Sequence, residues 1–444
     1  MSEASLAQIE NDTVATMART TWRYWLALGV ALSLVGAGAW AWSVALRQGL
    51  GITGLNDSVM WGSLITTFVF FIGVSHSGTL VSAILFFTRS PLRAAIGRSA
   101  EAMTVFTILT AGLYPIVHIG RSWLFFFVLP YPNQRQLWMN FRSPLTWDVF
   151  AITSYVSVSM LFLYMGMLPD LALLARRVTG WRRPFYKALT LGFSGTDGEW
   201  RIFEKAYPIF AGVVIPLAVS VHSVVSWDFA MTVMPGWHSA IFAPYFVAGA
   251  IFSGIAVAVL LLSGLRRGYH LERYITPRHF DMLAKLLLAM SLVMTFVYVT
   301  EFFMAFYRGS QAEMEVFRWR ATGTYAPVFW GVVVSNSIAP LALFWARVRR
   351  SLPALVTISV LVTVGMWFER FLFIVTTLAR SFISQNWTNY TPTLREALIC
   401  LGGLGWFFML FLVFIKLFPC MAISESMQSQ HATEAAAVPE VRHA

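Results

Sequence analysis

Tyr245-Phe-Val-Ala-Gly-Ala-Ile-Phe-Ser-Gly-Ile-Ala-Val-Ala-Val-Leu-Leu-Leu-Ser-Gly-Leu265 carries no charged side chain and is closed by Arg266-Arg267. As a helix rising ~1.5 Å per residue it is ~30 Å long, the thickness of a bilayer's hydrocarbon core. The run therefore reads as a membrane span. Working outward, comparable runs recur at 22–46, 59–88, 93–120, 144–168, 204–227, 240–265 (the run just quoted), 281–307, 325–346, 353–379 and 396–419. About ten spans define an all-α polytopic membrane protein. Without the first and last spans, two sets of four helices remain, which suits two four-helix bundles with two peripheral helices. Pro115 lacks an N–H and should bend the third span.

Composition excludes the soluble alternative. A soluble chain of 444 residues would form about three domains of ~150 residues. Here 57% of residues are hydrophobic and only 12% charged, half the ~25% charged share that a water-facing surface needs. Residues 1–21 read as a polar N-terminal segment with no signal-peptide pattern. Residues 22–420 form the integral domain, and 421–444 a polar, Ala-rich tail expected to be disordered.

The net charge of +11 arises without any run of five basic residues, so it does not mark a nucleic-acid partner. Ten spans place both termini on one side. That side holds 21 of the 32 Lys and Arg residues and the opposite loops nine, while Lys205 and Arg370 fall inside spans. The excess predicts cytoplasmic termini and puts the 121–142 region outside. Cys400 and Cys420 are separated by a mostly apolar helix of ~30 Å and cannot bond to each other. With no CxxC, CxxCH or Cys/His cluster, no iron–sulfur cluster, c-type haem or structural zinc is expected in this chain.

Ionisable residues within apolar spans are costly and so mark candidate function. His76 lies in Gly73-Val-Ser-His-Ser-Gly-Thr79 of the second span. It reads either as a proton carrier or as a structural histidine bonded to a neighbouring helix. On the third span Glu101, Thr104, Thr107, Ala111, Pro115 and His118 fall within ~120° of the helix circumference, as a proton-conducting face or a packing seam would.

The densest constellation is His118-Ile-Gly-Arg121-Ser-Trp123, followed by Pro132-Asn-Gln-Arg135 and Trp138 through Arg142-Ser-Pro-Leu-Thr-Trp147-Asp148. A quinone site needs an aromatic-walled slot open to lipid, donors for two carbonyl oxygens and a proton acceptor. His118 and Asp148 suit the proton chemistry, with Arg121 nearby and Trp123 and Trp147 as walls. Interfacial ion pairs and an aromatic belt account for the same residues equally well. His222-Ser-Val-Val-Ser-Trp-Asp228, Pro235-Gly-Trp-His238 and Glu301 repeat the pattern, and Glu369-Arg370 reads as a self-paired ion pair.

These segments, with Leu168-Pro-Asp170, Tyr245 through Ser253 and Arg278-His-Phe-Asp281, resemble the NrfD/polysulfide-reductase-C family of membrane subunits. The likeness is closest to the ten-helix ActC, and less to ActF, of bacterial alternative complex III, and covers about Trp61 to Tyr307. It implies a cofactor-free subunit that binds menaquinol or ubiquinol near the outer face. The implied partners are a periplasmic iron–sulfur subunit, c-type haem subunits, a second related membrane subunit and a terminal oxidase or cytochrome c. By the same resemblance His118 and Asp148 match the quinol-site region, and His76, Glu101 and Asp170 a proton path. His222, Asp228 and Glu301 are added to that path as further intramembrane ionisable groups.

Three other classes compete. A secondary transporter also suits ten spans, although Pro115 and Pro216 are not clearly matched between halves. A b-type cytochrome needs paired histidines at one depth, whereas His76 and His118 differ by ~20 Å along their helices. A non-catalytic twin subunit, anchoring partners or passing protons, shares the motifs of the catalytic one.

Overall fold

The computed structural model describes residues 12, 14–18, 20–88, 93–129, 141 and 143–423. Pro132–Arg135, Trp138, Arg142 and nearly all of the polar tail lie outside the described residues. Ten helices are long and apolar enough to cross a membrane: α1 Trp22–Gln48, α2 Ser63–Phe87, α3 Ala95–His118, α4 Pro144–Arg177, α5 Asp197–Ala230, α6 Phe242–Gly268, α7 Pro277–Tyr307, α8 Ala326–Phe344, α9 Leu352–Ala379 and α10 Leu394–Leu417. The chain is an all-α, multi-pass integral membrane protein.

Helix α2 is the centre of the molecule, with almost every side chain buried. It packs on α3, α5 and α6, while α3 meets α4 and α4 lies along α5. Helix α6 continues from that group to α7 and α9, and α8 packs on α9. The expected two groups of four are therefore present, α2–α5 and α6–α9. The remaining helices, α1 and α10, lie against each other and touch the first group through α10. Their seam is built from glycine: a Cβ on Gly402 would sit 2.8 Å from the Gly38 Cα. Without an aqueous hydrophobic drive between helices, such backbone approach supplies the van der Waals contact.

Two spans are longer than expected. Helix α4 continues nine residues beyond 168, so Leu168-Pro-Asp170 lies inside it rather than at its end. Helix α5 starts at Asp197, seven residues early, where Thr196 and Glu199 form a reciprocal capping box. A hydropathy window ends where charges begin, but backbone hydrogen bonding does not.

Prolines break two others. Helix α3 is interrupted at Gly112, one residue after the Ala111 carbonyl that Pro115 cannot bond. In α8, residues Val334–Ile338 form a π turn and Ala339–Phe344 a 3-10 segment. Pro340 leaves the Asn336 carbonyl without its helical donor, and Ser291 Oγ of α7 donates to it at 2.6 Å.

Candidate functional site

The polar residues of α2–α5 form a column across the bundle. At the middle of α2, His76 Nδ1 lies 2.5 Å from the Ile72 carbonyl one turn back. A carbonyl only accepts, so Nδ1 carries the hydrogen and Nε2 presents a lone pair. That Nε2 is buried with no hydrogen-bond partner, and the fully buried His222 ring on α5 makes no well-aligned hydrogen bond. The His76 ring stacks on Tyr155 of α4, with centroids 4.6 Å apart and planes 2° from parallel, and lies 4.7 Å from the His222 ring.

Toward the end of the bundle that carries both termini, Tyr155 Oη and Thr79 Oγ1 are 2.6 Å apart. Thr79 N donates to Thr104 Oγ1 of α3 at 2.9 Å, and Thr104 Oγ1 donates to the Ser75 carbonyl at 2.6 Å. Gly78 permits this: a Cβ there would come 2.1 Å from the Ala100 carbonyl oxygen, so only glycine lets α2 and α3 cross this closely. One turn further, Glu101 accepts from Ser82 Oγ at 2.6 Å and from Tyr207 Oη of α5 at 3.2 Å, while Arg93 donates to the same Tyr207 oxygen. Beside it Arg98 pairs with Asp170 of α4 at 3.0 Å and donates to the Gly166 carbonyl at 2.6 Å, with both charged side chains almost wholly buried.

At the opposite end, Asp148 of α4 and Asp228 of α5 bring their carboxyl groups within hydrogen-bonding reach of each other. Two carboxyl groups hydrogen-bond only by sharing a proton. Outside this contact, Oδ1 of each is buried without a partner. Asp228 and Tyr207 stand 21 residues apart on α5, or ~32 Å, so the column covers a full hydrocarbon thickness.

Six of the expected proton-handling residues thus share one column: His76, Glu101, Asp148, Asp170, His222 and Asp228. The structure differs from expectation at four others. His118 closes α3 half-buried, and no hydrogen bond or ion pair joins it to Asp148 among the described residues. The partner of Asp148 is Asp228, because α4 lies along α5. Trp147 and Trp123 do not wall a common slot. Trp147 packs edge-on against Trp227 at 6.1 Å, and its Nε1 donates to the Phe141 carbonyl. Trp123 is 60% exposed in the 3-10 segment Ser122–Val128, beside the exposed Phe125, Phe126 and Phe127. Arg121 is exposed at the same end.

Glu301 is separate from the column. It lies on α7, accepts weakly from Ser239 Oγ at 3.4 Å, and lines a 490 Å³ cavity with Tyr298, Arg320 and Glu369. Arg320 precedes α8, outside the spans; burial pushes its guanidinium down to about 10, against the pull of Glu301. Glu369 and Arg370 pair as expected, at 3.3 Å, although both Glu369 oxygens lack an aligned hydrogen bond. The Arg370 guanidinium lies 4.5 Å over the Phe246 ring.

Sequence reading missed Tyr155 and Tyr207, whose hydroxyls connect the charged members, because tyrosine is ordinary in an apolar span. The Arg98–Asp170 pair was likewise not anticipated. The signal available was helical spacing: Arg98, Glu101 and Thr104 succeed one another at three-residue intervals on α3.

The profile of the family described as Polysulphide reductase, NrfD matches residues 51–381. The chain is 30% identical over 243 residues to a putative dimethyl sulfoxide reductase membrane subunit of Halobacterium salinarum, covering 54% of this chain and 51% of that protein. That match spans about half of the relative's length. A selenate reductase subunit of Mesobacillus selenatarsenatis is 21% identical over 90% of this chain and 94% of its own. The Hdr-like menaquinol oxidoreductase integral membrane subunit of Archaeoglobus fulgidus is 23% identical over 87% and 92%. With the profile covering well over half of the chain, this protein belongs to the NrfD polysulphide reductase family of membrane subunits.

Proposed function

We propose that this chain is the quinol-oxidising integral membrane subunit of a multi-subunit respiratory oxidoreductase, of the ActC type, with its termini in the cytoplasm of a bacterial cell. A lipid-borne quinol, menaquinol or ubiquinol, docks at the outer end near His118, Arg121 and the Asp148–Asp228 pair. Its oxidation to quinone releases two electrons and two protons. The electrons leave to an iron–sulfur subunit docked on that face and on through c-type haem subunits to a cytochrome c or terminal oxidase. The protons pass to the side chains of this chain. The carboxyl pair is the first acceptor, since two adjoining carboxyl groups can hold a proton shared between their oxygens. His118, half-buried with its Nδ1 free of partners, is the base placed at the same end.

The observation that carries this reading is the Asp148–Asp228 contact, which lies at the outer end of the helices that also carry His222 and Tyr155. The names of the relatives support it, since one is a menaquinol oxidoreductase subunit and two are subunits of reductases. Asp148→Asn and Asp228→Asn, each in the assembled complex, should lower quinol-dependent cytochrome c reduction at least ~100-fold, the lower range for loss of a positioned acid or base. Near-normal turnover in both variants would sink the assignment.

A second reading, a proton-conducting or anchoring twin that oxidises no quinol, is favoured by the continuation of the column to Glu101, Arg98 and Asp170. It expects no protection of Asp148 or His118 by a quinone-analogue inhibitor, whereas the first expects protection.

A further inference from the structure

A large cavity lies on the flank of the first bundle. It occupies about 1100 Å³ between the α1–α10 pair and the flank of α2 and α6. That exceeds the ~300–1,000 Å³ of ordinary small-molecule pockets. Its lining is aliphatic and aromatic over most of its depth, including Val30, Leu34, Phe71, Val257, Leu261 and Phe408. On α1 the lining runs from Trp22 to Leu34, on α6 from Val257 to Gly268 and on α10 from Leu404 to Ile415. Each stretch of twelve or thirteen residues rises ~16–18 Å, close to half of the ~30 Å hydrocarbon core. The slot is therefore one leaflet deep, and its mouth lies at the end carrying both termini, where α1 begins and α6 and α10 end.

The mouth is basic. Arg23 and Arg267 both line it and are exposed, and His270 stands beside them. Among the described residues no carboxylate pairs with either arginine, and the one acidic residue in the lining, Asp12, accepts from Tyr274 Oη at 2.9 Å. Lys416 adds a further positive charge, its Nζ lying 4.8 Å over the Tyr24 ring and 4.9 Å over the Tyr269 ring. Tyrosine hydroxyls and cations at this depth are the residues that meet lipid headgroups.

We infer that this cavity is a binding site for one anionic diacyl phospholipid of the termini-side leaflet. The acyl chains lie in the slot between α1 and α6, and the phosphate is held by Arg23 and Arg267. The match of depth to one leaflet selects a lipid over a soluble anion, and the basic mouth selects an acidic headgroup over a zwitterionic one. The lipid would fill the space that α1 leaves beside α2. The inference is independent of the proposed redox role, because neither Arg23 nor Arg267 belongs to the column.

The test is lipid retention by the purified, assembled complex. The complex is delipidated in detergent, offered phosphatidylglycerol or phosphatidylcholine in mixed micelles, and weighed by native mass spectrometry. Wild type should retain about one phosphatidylglycerol per copy of this chain and little phosphatidylcholine. In the Arg23→Gln/Arg267→Gln variant, phosphatidylglycerol affinity should fall on the order of thirty-fold, from two surface charges, with quinol turnover and monodispersity unchanged. A water-soluble glycerol phosphate should not compete. Equal retention of both lipids, retention unaffected by the double substitution, effective competition by glycerol phosphate, or an isoprenoid quinone found in the slot instead would each overturn the assignment. If the double variant does not assemble, Arg23→Lys/Arg267→Lys, which keeps both charges, must retain phosphatidylglycerol; its loss there also overturns the site.

Discussion

The imidazole rings of His76 and His222 lie 4.7 Å apart at an angle of 55°, on helices α2 and α5, with neither Nε2 in a well-aligned hydrogen bond. Two buried imidazoles at this distance cannot both be charged without strong repulsion. Only one of the two rings at a time can therefore take up an extra proton and become an imidazolium. Replacing His222 by Phe, which keeps the ring volume, should leave the complex assembled but slow proton-coupled quinol turnover by about 100-fold. Stopped-flow cytochrome c reduction, with immunoblotting of the partner subunits, checks this. Unchanged turnover would show the histidine pair to be packing alone.

Arg98 and Asp170 form the most deeply buried ion pair among the described residues, with side chains 1% and 0% exposed. Removing one member leaves an uncompensated buried charge, at ~3–5 kcal/mol. Asp170→Ala should therefore reduce assembled complex in membranes sharply. The double variant Arg98→Met/Asp170→Leu should recover much of it, which thermal unfolding in detergent can measure.

Glu101 accepts from Ser82 and Tyr207 and lies beside Arg98 and Arg93. Glu101→Gln preserves its size and an acceptor oxygen, so assembly should be nearly unaffected. Proton movement through the column should fall. In liposomes, the expected outcome is quinol oxidation continuing while the associated inward alkalinisation declines at least ~10-fold.

The Gly38–Gly402 contact sets how closely α1 lies on α10. Gly402→Val places methyl groups where the Gly38 Cα now sits and should destabilise this pair by ~1–3 kcal/mol as overpacking. A lower unfolding temperature with unchanged quinol turnover is expected, since neither helix contributes to the column.

Glu301 and Arg320 share a cavity in the second bundle whose lining does not include Asp148. Arg320→Gln should lower thermal stability by ~2–3 kcal/mol, because Glu301 loses the nearest cation at its buried site. Quinol turnover should persist, and its abolition would place Glu301 in the proton route after all.

The ten spans were legible because lipid imposes one requirement everywhere: about twenty apolar residues per crossing. The sixth span announced itself without a single charge. Span ends were less legible, as at Arg177 and Asp197, because a helix continues past the hydrocarbon wherever its backbone bonds are still made. In the candidate site, His76, Glu101, His222 and Asp228 stood out because each is expensive in lipid. Their partners did not. Nothing in the sequence near Asp148 names Asp228, 80 residues later, and nothing in the local pattern separates Glu301 from the group it was placed with.

What the sequence determined by itself was class and inventory: an all-α membrane protein, the side on which its basic charge gathers, and a short roster of ionisable groups inside spans. Hydropathy and charge act residue by residue, so a linear reading recovers them. What the tertiary structure decided was adjacency. Asp148 meets Asp228, His76 meets His222 and Tyr155, and Arg98 meets Asp170, because α2 crosses α3 at Gly78 and α4 lies along α5. Pairing depends on which helix faces which, and that is set by packing between segments far apart in the chain.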